Sequence, residues 1–199
     1  MLGILLLKNE EIDSAEWSEY KYIAIILAIV SGMFISANKS ILGVLFYNIY
    51  ITEVLKDVLR LMGKGAVIGL ITLFINSFLI SFVAEMMDGE AENADIRVLI
   101  SVAMIPVIIG QIVSIVIAFA LWKSGYIHSF ILDEQLMSSP YIRIWQIVNH
   151  IISVIGVILS AILISKKSKF GFFKGFISYL TPKLVFLILS VSYVFLLID

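Results

Sequence analysis

Five long apolar stretches, near residues 22–37, 65–87, 96–122, 141–165 and 175–198, run through a chain of only 199 residues. Roughly 20 apolar residues, rising about 1.5 Å each as a helix, cross the hydrocarbon core of a bilayer. Hydrocarbon offers the backbone no water to bond, so each crossing segment must satisfy its own N–H and C=O groups, as a helix does. The chain is 61% hydrophobic and 15% charged, which is more apolar surface than one soluble core of this size can conceal. The expected fold is therefore all-α: a polytopic helical membrane protein with five transmembrane helices and one amphipathic interfacial helix. The connections are too short for a soluble module, so residues 1–199 are expected to form a single membrane-embedded domain.

Residues 1–21 read as an N-terminal interfacial segment. It is acidic, with Glu10, Glu11, Asp13, Glu16 and Glu19, and places Trp17 and Tyr20 where aromatics favour the headgroup level. Asn38, Lys39 and Ser40 interrupt the first apolar stretch. Between them and the second stretch lies the amphipathic segment 41–62, in which Glu53, Lys56, Asp57 and Arg60 share one helical stripe. Small residues mark close helix contacts: Ser31-Gly32 in the first span, the Gly65–Gly69 pair in the second and Gly110 in the third. Gly89 and Lys123-Ser124-Gly125 read as helix ends. Ser139-Pro140 reads as an N-cap with a first-turn proline. Pro106 and Pro182 are expected to kink the third and fifth spans, since proline removes a backbone donor and crowds the preceding turn.

Several chemistries find no support. The formal net charge is −1, so nothing draws the chain to nucleic acid. It has no cysteine, hence no disulfide or thiolate site. Its two histidines, His128 and His150, lie far apart and form no helical metal motif with a carboxylate. No motif calls for a metal, a cofactor or an enzymatic activity. Candidate functional groups are the polar side chains inside spans, which are costly to bury unpaired: Gln111, Asn149, His150 and Lys183. Asn76 and Gln111 also suit interhelical hydrogen bonding. Lys166, Lys167, Lys169 and Lys174 form the one dense cationic loop, a candidate contact for lipid or a partner.

Orientation follows from Lys and Arg near the spans. One side holds Lys8, Lys21, Arg97, Lys166, Lys167, Lys169 and Lys174; the other holds Lys39, Lys56, Arg60, Lys64, Lys123 and Arg143. The four-lysine loop tips the balance toward a multi-pass plasma-membrane protein with its N-terminus cytoplasmic and its C-terminus outside.

The run Met87-Asp-Gly-Glu90 leading into Ile96-Arg-Val-Leu-Ile-Ser-Val-Ala-Met-Ile-Pro-Val-Ile-Ile-Gly110 resembles the third-span signature of the Yip (Ypt/Rab-interacting protein) membrane family, in its bacterial branch. Ile144-Trp145 opening a span and Lys166-Lys167-Ser-Lys169 closing it are similar to that family's fourth span. The resemblance extends from about residue 10 to 190. It implies five spans, a cytosolic N-terminus, and no catalysis. It also implies an adaptor or accessory subunit in contact with other membrane proteins, such as an ABC-type exporter or a toxin or peptide resistance system. The competing expectation is a small transporter or substrate-binding membrane subunit, in which Gln111, Asn149, His150 and Lys183 together line one interior cavity.

Overall fold

The computed structural model describes residues 12, 17–47, 50–129 and 133–198. Helix α1 spans Trp17–Tyr47, α2 Ile51–Glu85, α3 Asn93–Ala103 and α4 Ile105–Lys123. A single 3-10 turn, Ile127–Ser129, and the short α5, Asp133–Ser138, lead to α6, Pro140–Lys167, and α7, Phe172–Ile198. All the described regular elements are helical. Four segments among the described residues are long and apolar enough to cross a membrane: Ser18–Tyr47, Ile51–Glu85, Asn93–Lys123 (α3 with α4) and Pro140–Lys167.

Two expectations change. The segment 41–62 is not a separate amphipathic helix. Residues 41–47 extend α1, and 51–62 are the first three turns of α2. The polar triplet Asn38-Lys39-Ser40 does not stop α1, because a helix bonds its own backbone whatever its side chains and only a strong breaker ends it. Helix α1 instead runs on to Tyr47, and at the start of α2 the Tyr50 carbonyl accepts from the N–H groups of Glu53 and Val54. The expected interfacial segment 1–21 lies mostly outside the described residues.

Helix α4 follows α3 after an interruption at Met104, two residues before Pro106, which occupies the first turn of α4. Proline is at home there, where no partner awaits its missing N–H. Helix α7, in contrast, runs on through Pro182. Just before it, Thr181 Oγ1 donates to the Ile177 carbonyl at 2.8 Å. Helix α6 begins at the expected Ser139-Pro140 junction, with Ser139 Oγ 3.4 Å from the Ile142 N–H.

Three helix ends close by the same device. After α4, Gly125 takes φ +77°, with Gly125 N–H bonding Trp122 O and Tyr126 N–H bonding Leu121 O. This is a Schellman closure. After α2 the left-handed residue is Asp88 (φ 63°), not the expected Gly89. A Cβ on Gly89 would lie 2.6 Å from the Phe170 ring and 2.9 Å from the Ala84 carbonyl, so that glycine answers to close packing. After α6 the left-handed residue is Lys169 (φ 57°). A side chain in this conformation costs about 1 kcal/mol or more, while the Lys169–Glu90 ion pair, with both side chains more than 60% exposed, contributes little. Lys169→Gly is therefore expected to raise the thermal midpoint by about 2–4 °C despite losing the pair. A midpoint lowered by the same amount would show that the pair outweighs the strain.

Contacts group the chain into two compact units. One comprises Met1–Ala24, Thr72–Ala103 and Val157–Asp199; the other comprises Ile25–Ile71 and Met104–Gly156. In the second unit α1 and α2 meet at glycine. A Cβ on Gly32 would strike the Gly65 carbonyl and come within 2.7 Å of Gly69 Cα, and one on Gly69 would strike the Ala28 carbonyl. Gly110 of α4 packs under Ile152 of α6, and Gly156 of α6 under Val107 of α4. An apolar cluster built on Ile41, Leu45, Val54, Ala118, Ile127 and Ile142, with Trp122 and Trp145 packed against it, completes this unit. In the first unit, α7 approaches α6 at Gly175, where a Cβ would strike the Ala161 carbonyl.

Candidate functional site

Within the second unit three helices bring amide side chains together. Asn38 of α1 is 5% exposed and Gln111 of α4 is 6% exposed. Asn38 Nδ2 donates to Gln111 Oε1 and, at 2.8 Å, to Asn149 Oδ1 of α6. Asn149 Nδ2 donates to Ser114 Oγ at 2.8 Å and to its own helix's Trp145 carbonyl at 2.9 Å. Trp145 Nε1 donates to the Ser114 carbonyl at 3.1 Å.

The bonds fix the direction of the chain. A carbonyl can only accept, so the atom of Asn149 facing Trp145 O must be its NH₂. Asn149 therefore presents its oxygen to Asn38, and Asn38 must present its own NH₂ in return. That leaves Asn38 Oδ1 buried with no donor. Asn38 was not singled out from the sequence, where it read as the edge of a span. Its position on a helix that runs on for nine more residues is the signal that would have placed it inside.

Beside this network lies a cleft of about 260 Å³, lined by Ile35, Asn38, Lys39, Val107, Gln111, Trp145, Gln146, Asn149, His150 and Ser153. The His150 Nδ1 atom is 2.7 Å from the Gln146 carbonyl. In the neutral ring Nδ1 carries the hydrogen, and Nε2 is left as an acceptor. Ser153 Oγ donates to the Asn149 carbonyl. A second, wider and mainly apolar groove of about 520 Å³ runs along α6 past Arg143, Gln146, Ile147, His150, Ile151, Val154 and Ile155.

Gln111, Asn149 and His150 share one cleft, three of the four residues that the competing expectation placed together. Lys183 does not join them. It belongs to the other unit, where its ammonium sits 3.6 Å from the centroid of the Tyr179 ring, one helical turn back on α7. A cation over an aromatic face is a favourable local arrangement, and it answers for this lysine without a cavity.

The cationic loop is engaged with the chain itself. Lys167 pairs with Asp95 at 3.4 Å, both side chains under 20% exposed. Lys169 pairs with Glu90 at 2.7 Å, and Lys174 Nζ donates to the Met87 carbonyl at 2.9 Å. The Glu90 N–H bonds the Ser168 carbonyl. The acidic α2–α3 loop and the basic α6–α7 loop are therefore joined, an assignment that needs both loops in hand and that neither stretch reveals alone. Nearby, Arg97 Nε donates to Ser77 Oγ and its guanidinium lies 4.7 Å from the Phe74 ring centroid. Lys167→Glu is expected to destabilise by about 2–4 kcal/mol, because it opposes two carboxylates in a poorly solvated pocket. The reciprocal pair Lys167→Glu with Asp95→Lys should recover at least half of that loss in a double-mutant cycle of thermal midpoints.

Neither a known family model, nor a curated protein, nor a solved structure matches this chain.

Proposed function

We propose that the chain is a non-enzymatic accessory subunit, or adaptor, of a membrane complex, with α7 completing five spans. One observation carries this reading. The polar groups within the spans are tied to neighbouring helices: Asn38, Gln111, Asn149 and Trp145 bond across α1, α4 and α6. Meanwhile α2 leaves large apolar side chains exposed, among them Val67 and Ile68 in one unit and Phe78 and Phe82 in the other. Such side chains suit lateral contact with lipid or a partner helix. The Yip-like runs at 96–110 and 144–169 support the same role, with an ABC-type exporter as one class of partner.

Photo-cross-linking from Val67 and Phe78, in membranes of the source organism, tests the proposal. Capture of a membrane protein that loses its assembly when this chain is deleted supports it. Capture of lipid alone, with every membrane complex intact in the deletion strain, sinks it. Orientation is read separately, since the chain has no native cysteine. A cysteine at Gly171, where an added Cβ meets open space, should label only from the cytoplasmic side, and one at exposed Ser124 only from outside.

A second reading rests on the cleft. The combination of Lys39, Gln146, His150 and Ser153 around open space beside the amide network favours a binding membrane subunit for a small polar group. Asn149→Leu should abolish binding in this case without releasing any partner protein.

A further inference from the structure

We infer that the cleft and the adjoining groove of α6 hold one anionic membrane phospholipid whose head also carries hydroxyls. The inference rests on the second reading of the cleft and names its ligand class.

Three observations converge. The cleft and the groove share Gln146 and His150, so that a compartment bearing amides among apolar side chains opens directly into one with almost no polar lining. The amides of the first are Asn38, Gln111, Gln146 and Asn149, and the second is walled by Ile147, Ile151, Val154 and Ile155. A single molecule that fills both must be an amphiphile, with a compact hydrogen-bonding head and at least one hydrocarbon tail. Membrane lipid is the amphiphile that surrounds a chain of this kind.

Charge selects the head. Lys39 lines the cleft and Arg143 lines the groove, while among the described residues no carboxylate lines either. A phosphodiester complements two cations in a poorly hydrated setting, where such attraction is less screened. Arginine and lysine at a membrane boundary are also the usual partners of anionic heads. An acceptor selects the rest. In the neutral ring His150 Nε2 is an acceptor, because Nδ1 faces the Gln146 carbonyl. A head bearing hydroxyls supplies a donor for it. A choline head has none.

Depth is compatible. Gln146 lies six residues after Pro140, roughly 9 Å along α6. A helix of 28 residues is about 42 Å long and exceeds the hydrocarbon core by about 12 Å. A head at Gln146 therefore sits only a few ångströms inside the hydrocarbon boundary, within reach of Arg143 one turn above.

The test uses the full chain, purified in detergent and examined by native mass spectrometry with dioleoylphosphatidylglycerol or dioleoylphosphatidylcholine added. Phosphatidylglycerol should bind in a one-to-one complex about tenfold more tightly than phosphatidylcholine. The double substitution Lys39→Gln with Arg143→Gln should lower that affinity about tenfold. Lys64→Gln, which removes an exposed cation of α2 outside both cavities, should not change it. Ile151→Trp, which fills the groove, should lower it for either lipid. Helical circular dichroism checks that each variant remains folded. Equal retention of the two lipids, or an equal loss in Lys64→Gln, overturns the inference. Glycerol phosphate added alone separates the sources. If it binds in a Lys39-dependent way while the lipid does not, the lipid proposal falls and the cleft still stands as a polar binding site. If neither binds and Asn149→Leu changes nothing, the second reading falls with it.

Discussion

Gly65→Val and Gly69→Val are expected to cost at least about 3 kcal/mol each, the upper end of ordinary overpacking, and to leave little monodisperse protein in detergent. The reason is the identity of what the new side chain meets. A Cβ at Gly65 would strike the Gly32 carbonyl and approach Ser36 Cβ, and one at Gly69 would strike the Ala28 carbonyl. These are mainly backbone atoms, which cannot swing aside as the end of a flexible side chain can. Relief requires α1 and α2 to separate, and between spanning helices there is little hydrophobic driving force to hold them together once close packing is lost. Gly43 and Gly63, on the same two helices, provide the control, because an added Cβ there meets nothing within 4 Å. Gly43→Ala and Gly63→Ala should be neutral or stabilising by up to about 1 kcal/mol through helix propensity. Thermal midpoints that fall equally in the Gly63 and Gly65 variants would show that α1 and α2 do not pack at this seam.

Gly65 and Gly69 were legible because small residues four apart leave a mark in one local stretch. Their partner, Gly32, was legible only as a small residue and not as the opposite wall. The same asymmetry runs through the molecule. Hydropathy locates the apolar core of α1, α2, α4 and α6, and Ser139-Pro140 fixes where α6 starts. Hydropathy misplaces the end of α1, because Asn38-Lys39-Ser40 lowers the apolar average without breaking any backbone bond. Asp88 and Lys169 adopt left-handed conformations that their residue types do not announce, since the pressure comes from the closing hydrogen bonds of α2 and α6. The dense group of four lysines read as a candidate contact for lipid or a partner. The carboxylate and carbonyl partners of Lys167, Lys169 and Lys174 lie some 70 to 90 residues away in the chain, a pairing that only the fold determines. Gln111 and Asn149 drew notice as amides in hydrocarbon, whereas Lys183 drew notice for the same reason and is met locally by Tyr179.

The sharpest discrimination comes from Asn38, where two substitutions of similar size should differ by sign of bonding. The Trp145 carbonyl fixes the Asn149 amide, and the Asn149 oxygen fixes Asn38 as a donor. Asn38→Leu removes both donated bonds and leaves Gln111 Oε1 and Asn149 Oδ1 facing an apolar group. Orphaned acceptors cost about 1–3 kcal/mol each, although partners found by the unfolded chain within the membrane reduce this to roughly 1 kcal/mol per bond. A loss of about 2 kcal/mol is expected. Asn38→Asp keeps the shape but sets carboxylate oxygens against those same acceptors and places a charge at a position 5% exposed. Gln111 can turn its NH₂ toward the new group; Asn149 cannot without giving up the Trp145 carbonyl. The aspartate variant should therefore be the less stable of the two by a further 2 kcal/mol or about that. Trp145→Phe, which removes the single bond to the Ser114 carbonyl, should cost about 1 kcal/mol. The order Trp145→Phe, Asn38→Leu, Asn38→Asp in increasing damage, read from thermal midpoints in one detergent, is the signature of an amide chain with a direction. Equal midpoints for the leucine and aspartate variants would mean that Asn38 does not serve as the donor joining α4 to α6, and that the cleft beside it is not walled by the network described above.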